Sequence, residues 1–98
     1  MILVDTSVWV DHLRRGDPLL AQRLDAGKVL SHPLVIGELA MGNLRDRAAL
    51  LGALGGLPRA VAARDGEVMA MIERDGLHGL GIGYADAHLL AATRLTAD

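Results

Sequence analysis

Short apolar runs alternate along this chain with longer stretches of helical periodicity, and that alternation limits its possible folds more than any other feature. Ile2, Leu3 and Val4 form a continuous apolar run, the pattern of a strand buried on both faces. A second short run, "KVLS", covers Lys28 to Ser31, and "LPRAVA", from Leu57 to Ala62, reads as a third strand. Helices are predicted between and after them. The first covers Ser7 to Arg15, with Val8, Trp9 and Leu13 apolar, Thr6 or Ser7 as its cap and Gly16 as its stop. Asp17-Pro18 starts a second, closed by Gly27, and Pro33 opens a third, closed by Gly42. Arg45 to Leu54, Glu67 to Asp75, and Tyr84 to about Thr96 complete the set, with the Gly-rich "GLHGLGIG" before the last. Strands alternating with helices imply an α/β fold with a parallel sheet. Ligands in such sheets gather at the carboxyl ends of the strands, and Asp5 stands at one such end.

Composition sets outer bounds. The 98 residues suit a single domain, and with 51% hydrophobic residues disorder is not expected. Trp9 and Tyr84 are the only aromatics, so the core must be aliphatic, and no aromatic platform exists for stacking bases as in RRM or OB-fold binders. The absence of cysteine excludes disulfides and thiolate metal sites. No apolar run approaches the ~20 residues of a membrane span, and residues 1–4 are too short for a signal-peptide core. A soluble cytoplasmic protein is expected. The formal net charge of −2 does not advertise a nucleic-acid binder.

Three carboxylates stand in unusual company. Asp5 follows a strand, where a turn or N-cap role is as ordinary as a functional one. Glu38 shares a helix face with Leu34, Val35, Leu39 and Gly42, inside an apolar stripe. A charge there costs several kcal/mol, of order 3 or more, unless it is paired, so an edge position or a salt bridge to Arg is the structural alternative. Asp86 lies between Ile82 and Leu89-Leu90, in a first turn where an acid also suits the helix dipole. Together the three form an oxygen-only donor set, the kind that takes a hard cation, Mg²⁺ or Mn²⁺. The chemistry such a cluster supports is metal-assisted phosphodiester cleavage, in which the cation lowers the pKa of a bound water. Thr6 or Ser7 could donate a hydrogen bond that fixes Asp5 or its water. If the acids repel one another without metal, Asp5→Ala should leave folding intact or improve it.

With these residues in hand, the pattern resembles the PIN domain, and within it the VapC-type toxins of bacterial toxin–antitoxin operons. "ILVDTSVWVDHL", "VIGELAMG" and "GIGYADAHLLAAT" carry the resemblance, in this order, across essentially the whole chain. It implies a three-layer α/β/α sandwich around a parallel sheet and an endoribonuclease dependent on Mg²⁺ or Mn²⁺. Asp5, Glu38 and Asp86 match the family's catalytic and metal-site acids. It also implies an RNA substrate, a homodimer and a cognate VapB-type antitoxin. The family continues past the last helix into another strand and a fourth acid, for which Asp98 comes too early. The expectation is one PIN-like domain over 1–98, lacking its C-terminal strand.

Other residues carry weaker signals. His12, His32, His78 and His88 lack ligand spacing and read as surface or satisfied polar residues. Gly79, Gly81 and Gly83 match no phosphate-binding fingerprint. Arg14 and Arg45, with Arg15 and Arg47, could line a path for RNA phosphates or simply be solvated. Two rivals stand. An Asp-nucleophile phosphatase would need a second Asp two residues after Asp5, where Ser7 stands. A catalytically weak module that captures antitoxin or RNA is the other.

Overall fold

In the computed structural model, which describes residues 1–96, the opening apolar run forms β1 (Ile2–Leu3), paired in parallel with β2 (Val29–Leu30). The register sets Ile2 against Val29 and Leu3 against Leu30, and Ile2 N–H donates to Lys28 O at 2.8 Å. Parallel neighbours need a crossover, and α1 (Thr6–Arg15) and α2 (Pro18–Asp25) supply it. Contacts divide the chain into two units, Met1–Arg59 and Ala60–Asp98.

In the first unit, local chemistry sets each helix boundary. α1 stops at Gly16, whose φ of 77° only glycine adopts without strain. Asp17 then caps α2, its Oδ1 accepting from Leu19 N–H at 3.0 Å and Leu20 N–H at 3.2 Å, with Pro18 at the first helical position. His12 Nδ1 accepts from Asp17 N–H at 3.0 Å and so ties the elbow. α3 (Pro33–Ala40) is capped by the buried His32, whose Nδ1 accepts from Leu34 N–H at 3.1 Å. α3 packs against α1 and against α4 (Arg47–Gly55). Trp9, Leu20, Val29, Leu30, Val35, Leu39 and Leu54 are this unit's buried apolar residues, with Val4 beside them. Leu13, one of the apolar positions of α1, is 41% exposed.

Two expectations need correction here. "LPRAVA" is not a strand: one parallel bridge joins Ser31 to Arg59, with Ser31 N–H donating to Pro58 O at 2.8 Å. Pro58 has no N–H to donate into the next rung, so the pairing does not extend along the chain toward Val29 and Leu30. The fourth helix starts at Arg47, not Arg45, because Asp46 at its N-cap is left-handed (φ 49°) and breaks continuity. Arg47 Nε turns back to donate to Ala40 O at 2.9 Å, serving an orphan carbonyl at the end of α3. The central sheet is thus two short strands and a bridge, and the architecture is mostly helical.

In the second unit, α5 (Asp65–Asp75) begins two residues earlier than predicted. Glu67 Oε1 accepts from Arg64 N–H at 3.0 Å, half of a capping box that draws Asp65 and Gly66 into the first turn. Gly76 (φ 61°) ends α5, and α6 (Tyr84–Leu95) follows the glycine-rich connection. Asp65 bonds Tyr84 and Asp75 bonds Arg94, so both helices run in the same direction. Ala63, Val68, Met71, Ala87 and Ala91 form this unit's core, with Ile72 and Leu77 against it. The alanines on α6 let α5 approach closely. Val61 N–H donates to Thr96 Oγ1 at 2.6 Å, tying the chain before α5 to the end of α6. Asp98 lies outside the described residues.

Candidate functional site

Asp5 is the N-cap of α1, placed by the two residues that follow β1. Its Oδ1 accepts from Thr6 N–H at 2.8 Å and its Oδ2 from Ser7 Oγ at 3.1 Å. The cap is therefore Asp5 rather than Thr6 or Ser7, and Ser7 is the hydroxyl that holds the carboxylate. Thr6 Oγ1 is buried with no hydrogen-bond partner among the described residues. Asp5 itself is exposed, with lone pairs left for an incoming ligand.

Glu38 lies on the second turn of α3 and is exposed. The apolar stripe is narrower than its periodicity implied: Val35 and Leu39 are buried, while Leu34 is 36% exposed. Glu38 stands at the edge of this stripe, and the carboxylate pays no burial cost there. The expected alternative, an ion pair with Arg, is not formed: among the described residues Glu38 has no hydrogen-bond or ion-pair partner.

Asp86 occupies the third position of α6, exposed in the first turn as predicted. Its Oδ2 folds back to 3.5 Å from where a Cβ on Gly83 would stand. It too has no ion-pair partner among the described residues. No set of three His, Asp or Glu side chains is gathered to hold a metal among those residues. Asp5 and Glu38 belong to the first unit and Asp86 to the second. The donor set fits a hard divalent ion by its chemistry, since all three are exposed carboxylates that form no ion pair with Lys or Arg among the described residues.

The structure does bring Arg14 and Arg45 together. They line one groove of about 840 Å³ in the first unit, with Val10, Leu13, Asn43 and Leu44. Both charges on its walls are positive. Arg45 lies in the short connection between α3 and α4, and Arg14 in the last turn of α1.

One cluster escaped the sequence analysis. Asp65 Oδ1 accepts from Tyr84 Oη at 3.1 Å and lies 3.0 Å from His88 Nε2. The Tyr84 and His88 rings meet edge-on, centroids 4.8 Å apart. Burial pushes the Tyr84 phenol above its ordinary pKa, and the Asp65 carboxylate adds to the rise. The i, i+4 spacing of Tyr84 and His88 was legible in the sequence, but their partner was not. Of the other histidines, His12 and His32 each accept a backbone N–H at Nδ1 and His78 is exposed.

The PIN domain family model matches residues 2–97. The chain is 42% identical over 95 residues to "Ribonuclease VapC32" of Mycobacterium tuberculosis (strain CDC 1551 / Oshkosh), covering 97% of this chain and 77% of that protein. The protein of the same name from strain ATCC 25618 / H37Rv matches to the same extent. No solved structure gives a significant match. The chain belongs to the PIN-domain family. No helix among the described residues is long and apolar enough to cross a membrane.

Proposed function

We propose that this chain is the toxin of a VapC-type toxin–antitoxin pair, an endoribonuclease that hydrolyses RNA phosphodiester bonds with Mg²⁺ or Mn²⁺. The observation that carries this reading is the 42% identity to a protein named as a ribonuclease, over 97% of the chain. Asp5, Glu38 and Asp86 are its proposed metal ligands and catalytic acids. A divalent ion bound there supplies a water of lowered pKa and offsets charge on the phosphate in the transition state. Ser7 orients Asp5 through the bond to Oδ2, and Thr6 N–H holds Oδ1, so the carboxylate is fixed before any ligand arrives. Arg14 and Arg45 contact RNA phosphates from the groove they share. The remaining elements of the reading are a three-layer α/β/α sandwich, a single domain, a homodimer, a cytoplasmic location and a VapB-type antitoxin as partner.

Cleavage of total RNA by the purified chain tests this, with Mn²⁺, with Mg²⁺ and with EDTA, beside Asp5→Asn. The expected result is metal-dependent cleavage that Asp5→Asn abolishes. Cleavage indifferent to both EDTA and the substitution refutes the nuclease. Absence of cleavage with retained RNA or antitoxin binding establishes the binding module in its place.

A further inference from the structure

We propose that Asp65 is a positioning residue for the metal site, acting through Tyr84 and His88 to set the aim of Asp86. The inference rests on the reading of Asp86 as a metal ligand. A single oxygen, Asp65 Oδ1, engages both side chains, Tyr84 Oη at 3.1 Å and His88 Nε2 at 3.0 Å. Tyr84 and His88 are one turn apart, so they share one face of α6 and bracket Asp86 along the chain. At about 100° per residue, Asp86 lies about 160° around the helix from each of them. Holding one side of the first turns therefore sets where the other side points.

Two anchors of this kind on one oxygen restrain rotation of α6 about its own axis. A bond at one residue alone would let the helix pivot. The His88 side chain is 11% exposed and that of Asp65 is 84% exposed, so the buried end of the pair is carried by α6. At the far end of the two helices, Asp75 bonds Arg94 and keeps them aligned. No side chain caps the N-terminus of α6, where Gly83 stands, so the Asp65 contacts join the buried Ala87 in tethering this end. A carboxylate carried about 5–6 Å from a helix axis moves about 2 Å for a 20° rotation. A displacement of about 1 Å in a reacting group can cost about a hundredfold in rate.

The test compares Mn²⁺ affinity, read from the electron paramagnetic resonance of the free ion, in the parent, Asp65→Ala, His88→Leu, His88→Gln and Asp86→Asn. Circular dichroism gives the folded fraction of each. Asp65→Ala and His88→Leu are expected to weaken Mn²⁺ binding per folded molecule about tenfold, the low end for groups that orient a ligand. His88→Gln keeps an N–H near the Nε2 position and should bind within about twofold of the parent, since the orienting bond survives. A role in stability alone would lower the folded fraction and leave the affinity of folded molecules unchanged, and that result overturns the proposal. Failure of His88→Gln to recover what His88→Leu loses overturns it as well. Asp86→Asn separates the two layers: parental Mn²⁺ affinity in that variant refutes Asp86 as a ligand, and the positioning role falls with it.

Discussion

Asp5 has two separable roles, and one pair of substitutions distinguishes them. As the N-cap of α1 it accepts from Thr6 N–H at 2.8 Å, while its backbone carbonyl accepts from Val8 N–H at 3.1 Å and Trp9 N–H at 3.2 Å. Replacing an N-cap Asp by Ala costs about 0.5–2 kcal/mol. The side chain here reaches only the first helical N–H, so the lower part of that range applies, about 0.5–1 kcal/mol. In a chain of this size that is a fall of roughly 2–8 °C in Tm. Asn caps as well as Asp does, so Asp5→Asn should melt within about 2 °C of the parent, a shift of less than about half a kcal/mol. The expectation that Asp5→Ala leaves folding intact is thereby revised, because the cap outweighs relief of repulsion at an exposed carboxylate. Metal adds a second axis. An ion at a hundred times its Kd stabilises by about 2.7 kcal/mol, and both variants should lose that rise. Differential scanning fluorimetry with and without Mn²⁺ reads all of these shifts. If Asp5→Asn melts as low as Asp5→Ala, capping is not the structural role. If Mn²⁺ stabilises Asp5→Asn as much as the parent, Asp5 is not a ligand.

Three further outcomes are expected. Leu39→Ala, at a site 2% exposed, should cost about 2–5 kcal/mol in urea unfolding; a loss below about 1 kcal/mol would mean α3 is not anchored through that side chain. The Arg94 guanidinium hydrogen bond holds Asp75 below its ordinary pKa of 3.8, against opposing desolvation and with help from Arg74. Its contribution is present above pH 3.8 and lost as pH falls through the lowered folded value. The Tm gap between the parent and Asp75→Asn should therefore be full at neutral pH and close in acid, and a gap constant with pH refutes the pairing. Arg14→Ala and Arg45→Ala should each weaken RNA binding and lower its salt dependence by about one counterion, the share of one phosphate; an unchanged salt slope removes the groove from the RNA path.

Residues that act on their immediate neighbours were legible in the sequence, and residues whose role depends on a distant partner were not. Gly16, Pro18, Pro33 and Gly76 end or start helices through their own φ preferences, and the structure places boundaries beside each. "LPRAVA" has the composition of a strand, but a strand is made by its neighbour, and Pro58 lacks the N–H that would carry the pairing beyond the Ser31–Arg59 bridge. Glu38 matched an apolar face by spacing alone; how much of that face is covered depends on which helices pack there, and the coverage stops at Val35 and Leu39. Nothing in the sequence singles out Asp65, because Tyr84 and His88 reach it only through the parallel packing of α5 and α6.

A local feature accounts for how isolated acids can persist on this fold. Asp5 is the N-cap of α1 and Asp86 sits in the first turn of α6. The partial positive charge at each helix start stabilises a carboxylate by about 0.3–1 kcal/mol. No Lys or Arg pairs with either among the described residues. Backbone dipoles therefore do what a salt bridge would otherwise do, with one difference. A guanidinium would occupy the carboxylate oxygens and have to be displaced by an entering cation, whereas a helix N-terminus leaves lone pairs exposed. Glu38 lies in the last turn of α3, where the helix dipole opposes a carboxylate. Of the three acids, it is the one whose charge is least compensated by its own helix.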